Sequence, residues 1–419
     1  MIQESDTVML SECFRIYYLI VNKEVWFSAL TFTYRTLFSK PTSMNRNNDK
    51  LLFTPGPLTT SMTTKVAMMR DLGSRDFEFI EQVKFIRERL LQLAGVSVEA
   101  GYESIIMQGS GTFGIEAVIS SVIPDDGHLL VIINGVYGER ISRMASIHRI
   151  HQSSLRFAEN EVPDIAVVKE FLHENTDITH VAVIHCETTT GIINPIHEIG
   201  QLCAEAGKVF IVDAMSSFGA YPVDLQASGI HFLISSSNKC IEGVPGFSFV
   251  IAQREQLMSG EYNARTLSLD LFAQWKGLEL NGQFRFTPPT HALLAFAAAL
   301  AGLELEGGVA GRAKRYIENY EALAAGMKEL GFREYLIPEH RGYIITCFHY
   351  PEDSSFDFVS FYEALNERGF VIYPGKLSEV NCFRIGNIGH INRQDIHNLV
   401  RAVGEVLAEK GILMDKREA

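Results

Sequence analysis

Six short apolar runs, near residues 105, 130, 181, 210, 232 and 247, constrain this 419-residue chain more than any other feature. Helical stretches separate them, and alternation of that kind indicates a doubly wound, mainly parallel sheet. Such an open sheet places its ligands beyond the carboxyl ends of its strands. What stands at those ends therefore carries the chemistry. The first run leads into Gly109-Ser110-Gly111-Thr112, the second into Asn134-Gly135-Val136-Tyr137, and the third into Cys186-Glu187-Thr188-Thr189. The fourth closes on Asp213. The fifth passes through Ser235, Ser236, Ser237 and Asn238 to Lys239, with Gly243-Val244-Pro245-Gly246 just beyond.

Asp213 and Lys239 together suit a pyridine cofactor. In pyridoxal 5'-phosphate (PLP) enzymes a lysine amine forms the Schiff base, while an aspartate pairs with the protonated ring nitrogen and keeps the ring an electron sink. Burial and neighbouring charge lower a lysine's pKa and make its amine nucleophilic. Taken singly, each residue has a plainer reading: Lys239 as a solvated loop lysine, Asp213 as a helix or turn cap. The small residues around Lys239 weaken the first of these, because they let backbone approach a ligand closely. Free N–H groups at the helix start after Gly109, with the helix dipole, favour a dianionic phosphate, and the Ser110 and Thr112 hydroxyls can add hydrogen bonds. A generic capped turn is the alternative there. Tyr137 can lay its ring on a planar cofactor or simply pack. Thr188 can meet the ring's phenolic oxygen or cap its own turn. The order of these elements along the chain favours the cofactor.

Phosphate turn, aromatic, threonine-rich turn, aspartate and lysine follow one another as in the large domain of fold-type I aminotransferases. The chain resembles the class V branch of that family, which contains alanine–glyoxylate and serine–pyruvate transaminases. Longer strings sharpen the likeness toward the transaminases that act on 2-aminoethylphosphonate and pyruvate: residues 52–61, residues 186–191, residues 211–219, residues 238–247, residues 369–376, and residues 382–389. The resemblance covers roughly residues 51–409. It implies an α/β fold-type I PLP-dependent transferase, with a mainly parallel seven-stranded sheet in a large domain (51–306) and a smaller C-terminal α+β domain (307–412).

The same resemblance implies the Schiff base on Lys239, the ring-nitrogen partner on Asp213, the stacking ring on Tyr137, and phosphate contacts on Ser110, Gly111 and Thr112. Thr290 matches a threonine that reaches the phosphate from the neighbouring subunit, which implies a homodimer. Arg384 matches the arginine that receives the substrate carboxylate, and its planar fork suits two oxygens. Without the resemblance, a surface salt bridge is its plainest use. The implied reaction passes the amino group of 2-aminoethylphosphonate to pyruvate, giving phosphonoacetaldehyde and L-alanine. Two alternatives stand beside it: alanine–glyoxylate or serine–pyruvate transamination by the same cofactor residues, and a non-catalytic PLP-binding scaffold. The groups that hold the phosphonate are not visible, with Arg75, Arg265 and Lys376 as candidates beside Arg384.

A formal charge of −13 with no Lys/Arg block argues against a nucleic-acid partner, whose phosphates reward a basic face. Six cysteines lie scattered without Cys-x-x-Cys spacing, as reduced thiols in a cytoplasmic protein would. Cys240, beside Lys239, invites a nucleophile, but no aligned histidine is evident. The thirteen histidines show no zinc-like pairing, so no metal site is expected. Residues 1–50 differ from the rest: the apolar stretch at 14–21 is far short of the ~20 residues a membrane span needs. No basic region or small-residue cleavage site marks a secretory signal there. A genuine extension, or sequence upstream of a start at Met44, accounts for it. Beyond the sheet, the pattern predicts helices over 76–94, 291–304, 310–330, 357–369 and 393–410, strands over 343–350, 370–373 and 382–386, and a tail at 413–419.

Overall fold

The structure, a computed structural model, describes residues 49–414 apart from Lys376, Ser378 and Glu379. The expectations for residues 1–48, for Lys376 and for the tail beyond Met414 lie outside the described residues. Seven strands build the central sheet: β1 (Tyr102–Gln108), β2 (His128–Ile133), β3 (His151–Arg156), β4 (His180–Ile184), β5 (Val209–Asp213), β6 (Phe232–Ser236) and β7 (Phe247–Gln253). Their order across the sheet is β1-β7-β6-β5-β4-β2-β3. Only β7 runs antiparallel to its neighbours.

Every residue of β2, β4 and β6 is buried, because a parallel sheet is covered on both faces. That is why these strands read as unbroken apolar runs. The edge strand β3 is different. Its residues are His151, Gln152, Ser153, Ser154, Leu155 and Arg156, half-buried or exposed, so no apolar run announces it.

The helices that position the site are α1 (Phe77–Leu93), α2 (Gly111–Val122), α3 (Val136–Ile147), α4 (Thr290–Leu305) and α5 (Gly308–Leu330). Helix α1 starts where Asp76 accepts the Glu78 N–H at 3.0 Å, satisfying one of the orphan donors of a first turn. Helix α4 runs through the main apolar core, with Leu293, Phe296 and Leu300 packed beneath the sheet strands. Among the described residues, no single helix is long and apolar enough to cross a membrane.

The C-terminal part adds a three-stranded antiparallel sheet, with β10 (Cys382–Gly386) between β8 (Ile345–His349) and β9 (Tyr373–Pro374). The strand expected over 370–373 divides in two. Phe370 and Val371 pair with Leu51 and Leu52, buried Ile372 turns the corner, and Tyr373 joins β10. Helices α6 (Phe358–Glu367) and α7 (Arg393–Lys410) cover this sheet. A second apolar cluster gathers Leu323, Phe348, Phe361, Phe383 and Leu399 together with Phe53, so the chain's described start packs with its C-terminal part.

Candidate active site

Strands β1, β2, β4, β5 and β6 all end at one edge of the sheet. Asp213 closes β5, flanked in register by Ile184 of β4 and Ile234 of β6. Its Oδ1 accepts the Met215 N–H at 2.8 Å. Burial pushes the carboxyl up from 3.8 to about 6, against the pull of that amide and of the Lys239 and Arg140 charges. Lys239 follows β6, and its Nζ donates to the Pro55 carbonyl at 2.5 Å. Burial lowers the amine from 10.5 to about 8, with Cys240 and Asp213 opposing and Arg384 assisting. An amine near that value is partly neutral at physiological pH, as a nucleophile must be. The turn that closes over it needs Gly56, at φ +109°, since a Cβ there would stand 3.0 Å from Nζ.

Ser110 occupies the cap of α2 yet makes no capping bond, which leaves an exposed hydroxyl uncommitted. Gly111 and Thr112 open the helix, where N–H groups have no carbonyl a turn earlier. A Cβ at Gly111 would lie 2.2 Å from the Met215 sulfur, so this turn packs directly on the segment that holds Asp213. A helix start with free N–H groups and a buried acid therefore share one floor. That spacing of donor types fits a pyridine ring carrying a phosphate, and PLP is the group these residues suit. Tyr137, in the first turn of α3, stays half-buried, with the Arg140 guanidinium 4.7 Å above its ring. Arg140 also approaches the Thr112 hydroxyl at 3.4 Å.

Thr188 is buried, and its carbonyl accepts from Arg384 Nη1 at 2.7 Å. Arg384 lies in β10 and is 2% exposed. Its Nε reaches the Pro374 carbonyl at 3.0 Å, and its guanidinium sits 5.8 Å from the Tyr373 ring. Among the described residues no carboxylate pairs with it. Arg312, equally buried, is instead held by Glu242 and Glu306. Thr290 opens α4, and its hydroxyl reaches His291 Nδ1 at 3.5 Å rather than Asp213 or Lys239 of the same chain.

Of the phosphonate candidates, Arg265 binds the Ile123 carbonyl at 2.7 Å and Asp125 at 3.2 Å, at the far end of α2 from Ser110. Twelve helical residues, roughly 18 Å, separate it from the phosphate turn. Arg75 is exposed. Cys240 is buried, donates to the Ser216 carbonyl at 3.1 Å, and is pushed up by burial to about 12, so it stands as a thiol and not a nucleophile. The described cysteines are all free.

Sequence reasoning missed Glu187, which is fully buried beside Thr188. Its carboxylate takes the Thr189 hydroxyl at 2.9 Å and the Tyr137 N–H at 3.2 Å, and burial raises it to about 7. An acid inside an apolar strand-end string was the available signal. His128, His151 and Asp177 meet at the opposite end of the sheet, brought there from three separate elements that spacing could not connect. Both ring nitrogens of His128 are engaged, with Asp177 at 2.7 Å and Ser153 at 2.9 Å.

This fold and edge constellation define an aminotransferase of the PLP-binding kind: residues 59–394 match the class V aminotransferase family, and the chain belongs to it. A protein of Syntrophobacter fumaroxidans named 2-aminoethylphosphonate–pyruvate transaminase is 51% identical over 366 residues, covering 87% of this chain and 98% of its own length. One of the same name from Bacillus cytotoxicus is 51% identical over 361 residues, covering 86% and 98%. Among solved structures, ureidoglycine–glyoxylate aminotransferase from Bacillus subtilis superposes with a TM-score of 0.80 at 23% identity, covering 87% of this chain and 95% of that one. Pyridoxamine–pyruvate aminotransferase from Mesorhizobium loti does so at 0.80 and 23%, covering 88% and 94%. These two establish the fold.

Proposed function

We propose that the chain transfers the amino group of 2-aminoethylphosphonate to pyruvate, giving phosphonoacetaldehyde and L-alanine in phosphonate catabolism. The observation that carries this reading is Arg384: a buried guanidinium with no carboxylate partner among the described residues, close enough to Lys239 for its charge to lower the amine's pKa. An amine and an open anion receptor in one pocket suit substrates that present an amine or carbonyl at one end and an anion at the other. Both 2-aminoethylphosphonate and pyruvate have that form. The names of relatives about half identical over nearly their whole length point to the same pair.

PLP, when bound, supplies a protonated ring that draws electrons from the substrate carbon. Ser110, Gly111 and Thr112 would hold its phosphate, Tyr137 would stack on its ring, Thr188 would meet its phenolic oxygen, and Asp213 would face its nitrogen. Lys239 would anchor it through its amine. With PLP held there, Lys239 Nζ would be the base that takes and holds the proton from the carbon bearing the substrate amine. Arg384 fixes the far anion of each substrate in turn, which orients the bond to be broken. Thr290 serves a second copy of the chain in a cytoplasmic homodimer, and the 51–306 and 307–412 regions act as large and small domains.

Incubation with 2-aminoethylphosphonate and pyruvate should yield alanine and phosphonoacetaldehyde in equal amounts, at a kcat/KM well above that with serine as donor. Alanine no higher than in a Lys239→Ala control would reject the proposal. Faster turnover of serine would favour the serine–pyruvate alternative.

A further inference from the structure

Glu242 stands at φ +67°, in the left-handed region that L side chains avoid, three residues after Lys239. Its own N–H donates back to the Lys239 carbonyl at 2.7 Å, closing the turn that carries the amine. The side chain explains why a glutamate tolerates this position. A single buried oxygen, Oε1, accepts the Tyr316 hydroxyl at 2.6 Å and Arg315 Nη2 at 2.7 Å, with Arg312 Nη1 at 3.3 Å. Arg312 Nη1 also donates to the Cys240 carbonyl at 2.5 Å, inside the same turn. Glu306 completes the group by bonding Arg312 Nε at 2.6 Å and Arg315 Nε at 2.7 Å. Two guanidinium groups and two carboxylates thus offset one another, the condition under which charges survive burial.

The same residues grip the opposite side of the pocket. Arg315 Nη1 donates to the carbonyls of Gly389 at 2.6 Å and Ile391 at 3.0 Å, and the Tyr316 hydroxyl accepts the Gly389 N–H at 3.1 Å. That loop begins directly after β10, the strand that presents Arg384. We infer that Glu242 is a positioning residue: locked by Arg312, Arg315 and Tyr316 of α5, it sets the place of the Lys239 amine relative to Arg384, and so the span between proton transfer and anion binding. Strained backbone that its surroundings over-determine is the usual form such a device takes at a working site. The inference rests on the proposed role of Lys239 as the cofactor-bound amine.

Three variants of the PLP-loaded enzyme test it: Tyr316→Phe, which deletes one hydroxyl and spares the fold, Glu242→Gln and Glu242→Gly. The readouts are the pH midpoint of the bound cofactor's visible absorbance without substrate, kcat, and the PLP dissociation constant. Displacements near 1 Å at a reacting group cost up to about 100-fold in rate. Tyr316→Phe and Glu242→Gln should therefore lower kcat by about 10-fold or more and move the pH midpoint, with cofactor affinity held within about threefold. Glu242→Gly, whose backbone accepts φ +67° freely, should be no better than Glu242→Gln. Wild-type kcat and midpoint in Glu242→Gly would overturn the inference, since backbone conformation alone would then suffice. An unmoved midpoint in Tyr316→Phe and Glu242→Gln beside a lowered Tm would overturn it too, as a purely structural clamp. Borohydride reduction of the wild type and mass analysis of the peptide containing Lys239 test the underlying role separately.

Discussion

Replacing Asp213 by asparagine separates what the carboxylate costs the fold from what it contributes to the chemistry. In the folded chain this carboxyl stands at about 6 instead of the ordinary 3.8, chiefly because it is buried. The folded state therefore keeps its proton over a pH range in which the unfolded chain has lost it. A raised acid contributes stability that is complete below 3.8 and is lost as pH climbs through about 6. At ~1.4 kcal/mol per pH unit, the gap amounts to about 3 kcal/mol of destabilisation in the cofactor-free protein above pH 6. Asparagine keeps the shape, and its carbonyl can still accept the Met215 N–H. The variant without cofactor should match wild type near pH 4 and exceed it by about 1–3 kcal/mol at pH 7 and above. The lower figure allows for protonated Lys239, which loses the attraction of Asp213. Urea unfolding followed by circular dichroism from pH 4 to 8 measures the difference. A difference that does not change with pH, or a variant less stable at pH 8 than wild type, would refute the argument. The loaded enzyme should show the reverse ranking: PLP affinity and turnover fall when the ring nitrogen loses its anionic partner.

In the cofactor-free protein, acylation of Lys239 by an amine-directed reagent, read by peptide mass, should have a pH midpoint near 8; a midpoint close to 10.5 would contradict its burial. Arg384→Ala should raise the KM for pyruvate by roughly 30- to 1000-fold, about 2–4 kcal/mol, while leaving PLP affinity in place; an equal loss of PLP affinity would show that it acts through the fold. Asp76→Ala removes the cap of α1 and should lower stability by about 1 kcal/mol in urea unfolding without altering kcat.

The parts of the fold legible in the sequence are those whose signal is local. Strand β10 and helix α7 fall on the expected 382–386 and 393–410, one an apolar run with a single arginine, the other bounded by the Asn392 capping box. The place of Asp213 and Lys239 at the sheet edge was readable because one closes an apolar run and the other follows one after a short polar turn. Strand β3 was not, since an edge strand half open to water needs no apolar pattern. The Glu242 group lay further out of reach: its partners Arg315 and Tyr316 are 73 and 74 residues away in sequence, so charge spacing along the chain says nothing of it.

The two buried arginines among the described residues, Arg312 and Arg384, show how the pocket differs from the scaffold beneath it. Arg312 is closed by carboxylates of its own chain, a finished structural contact. Among the described residues Arg384 meets carbonyl dipoles and an aromatic ring and no carboxylate, which leaves its charge for an anion from outside. Its neighbours follow the same rule. Burial moves Asp213 and Glu187 upward and Lys239 downward, each toward its neutral form. A folded core does not gather groups in that condition for stability, because each unpaired buried charge opposes folding. On the proposed reading occupancy reverses the sign: a cationic ring nitrogen beside Asp213 and a substrate anion on Arg384 would supply the opposite charges. On that reading the unfavourable burial of Asp213 and of Arg384 and their capacity to take a cationic ring nitrogen and a substrate anion are one property of the same two side chains.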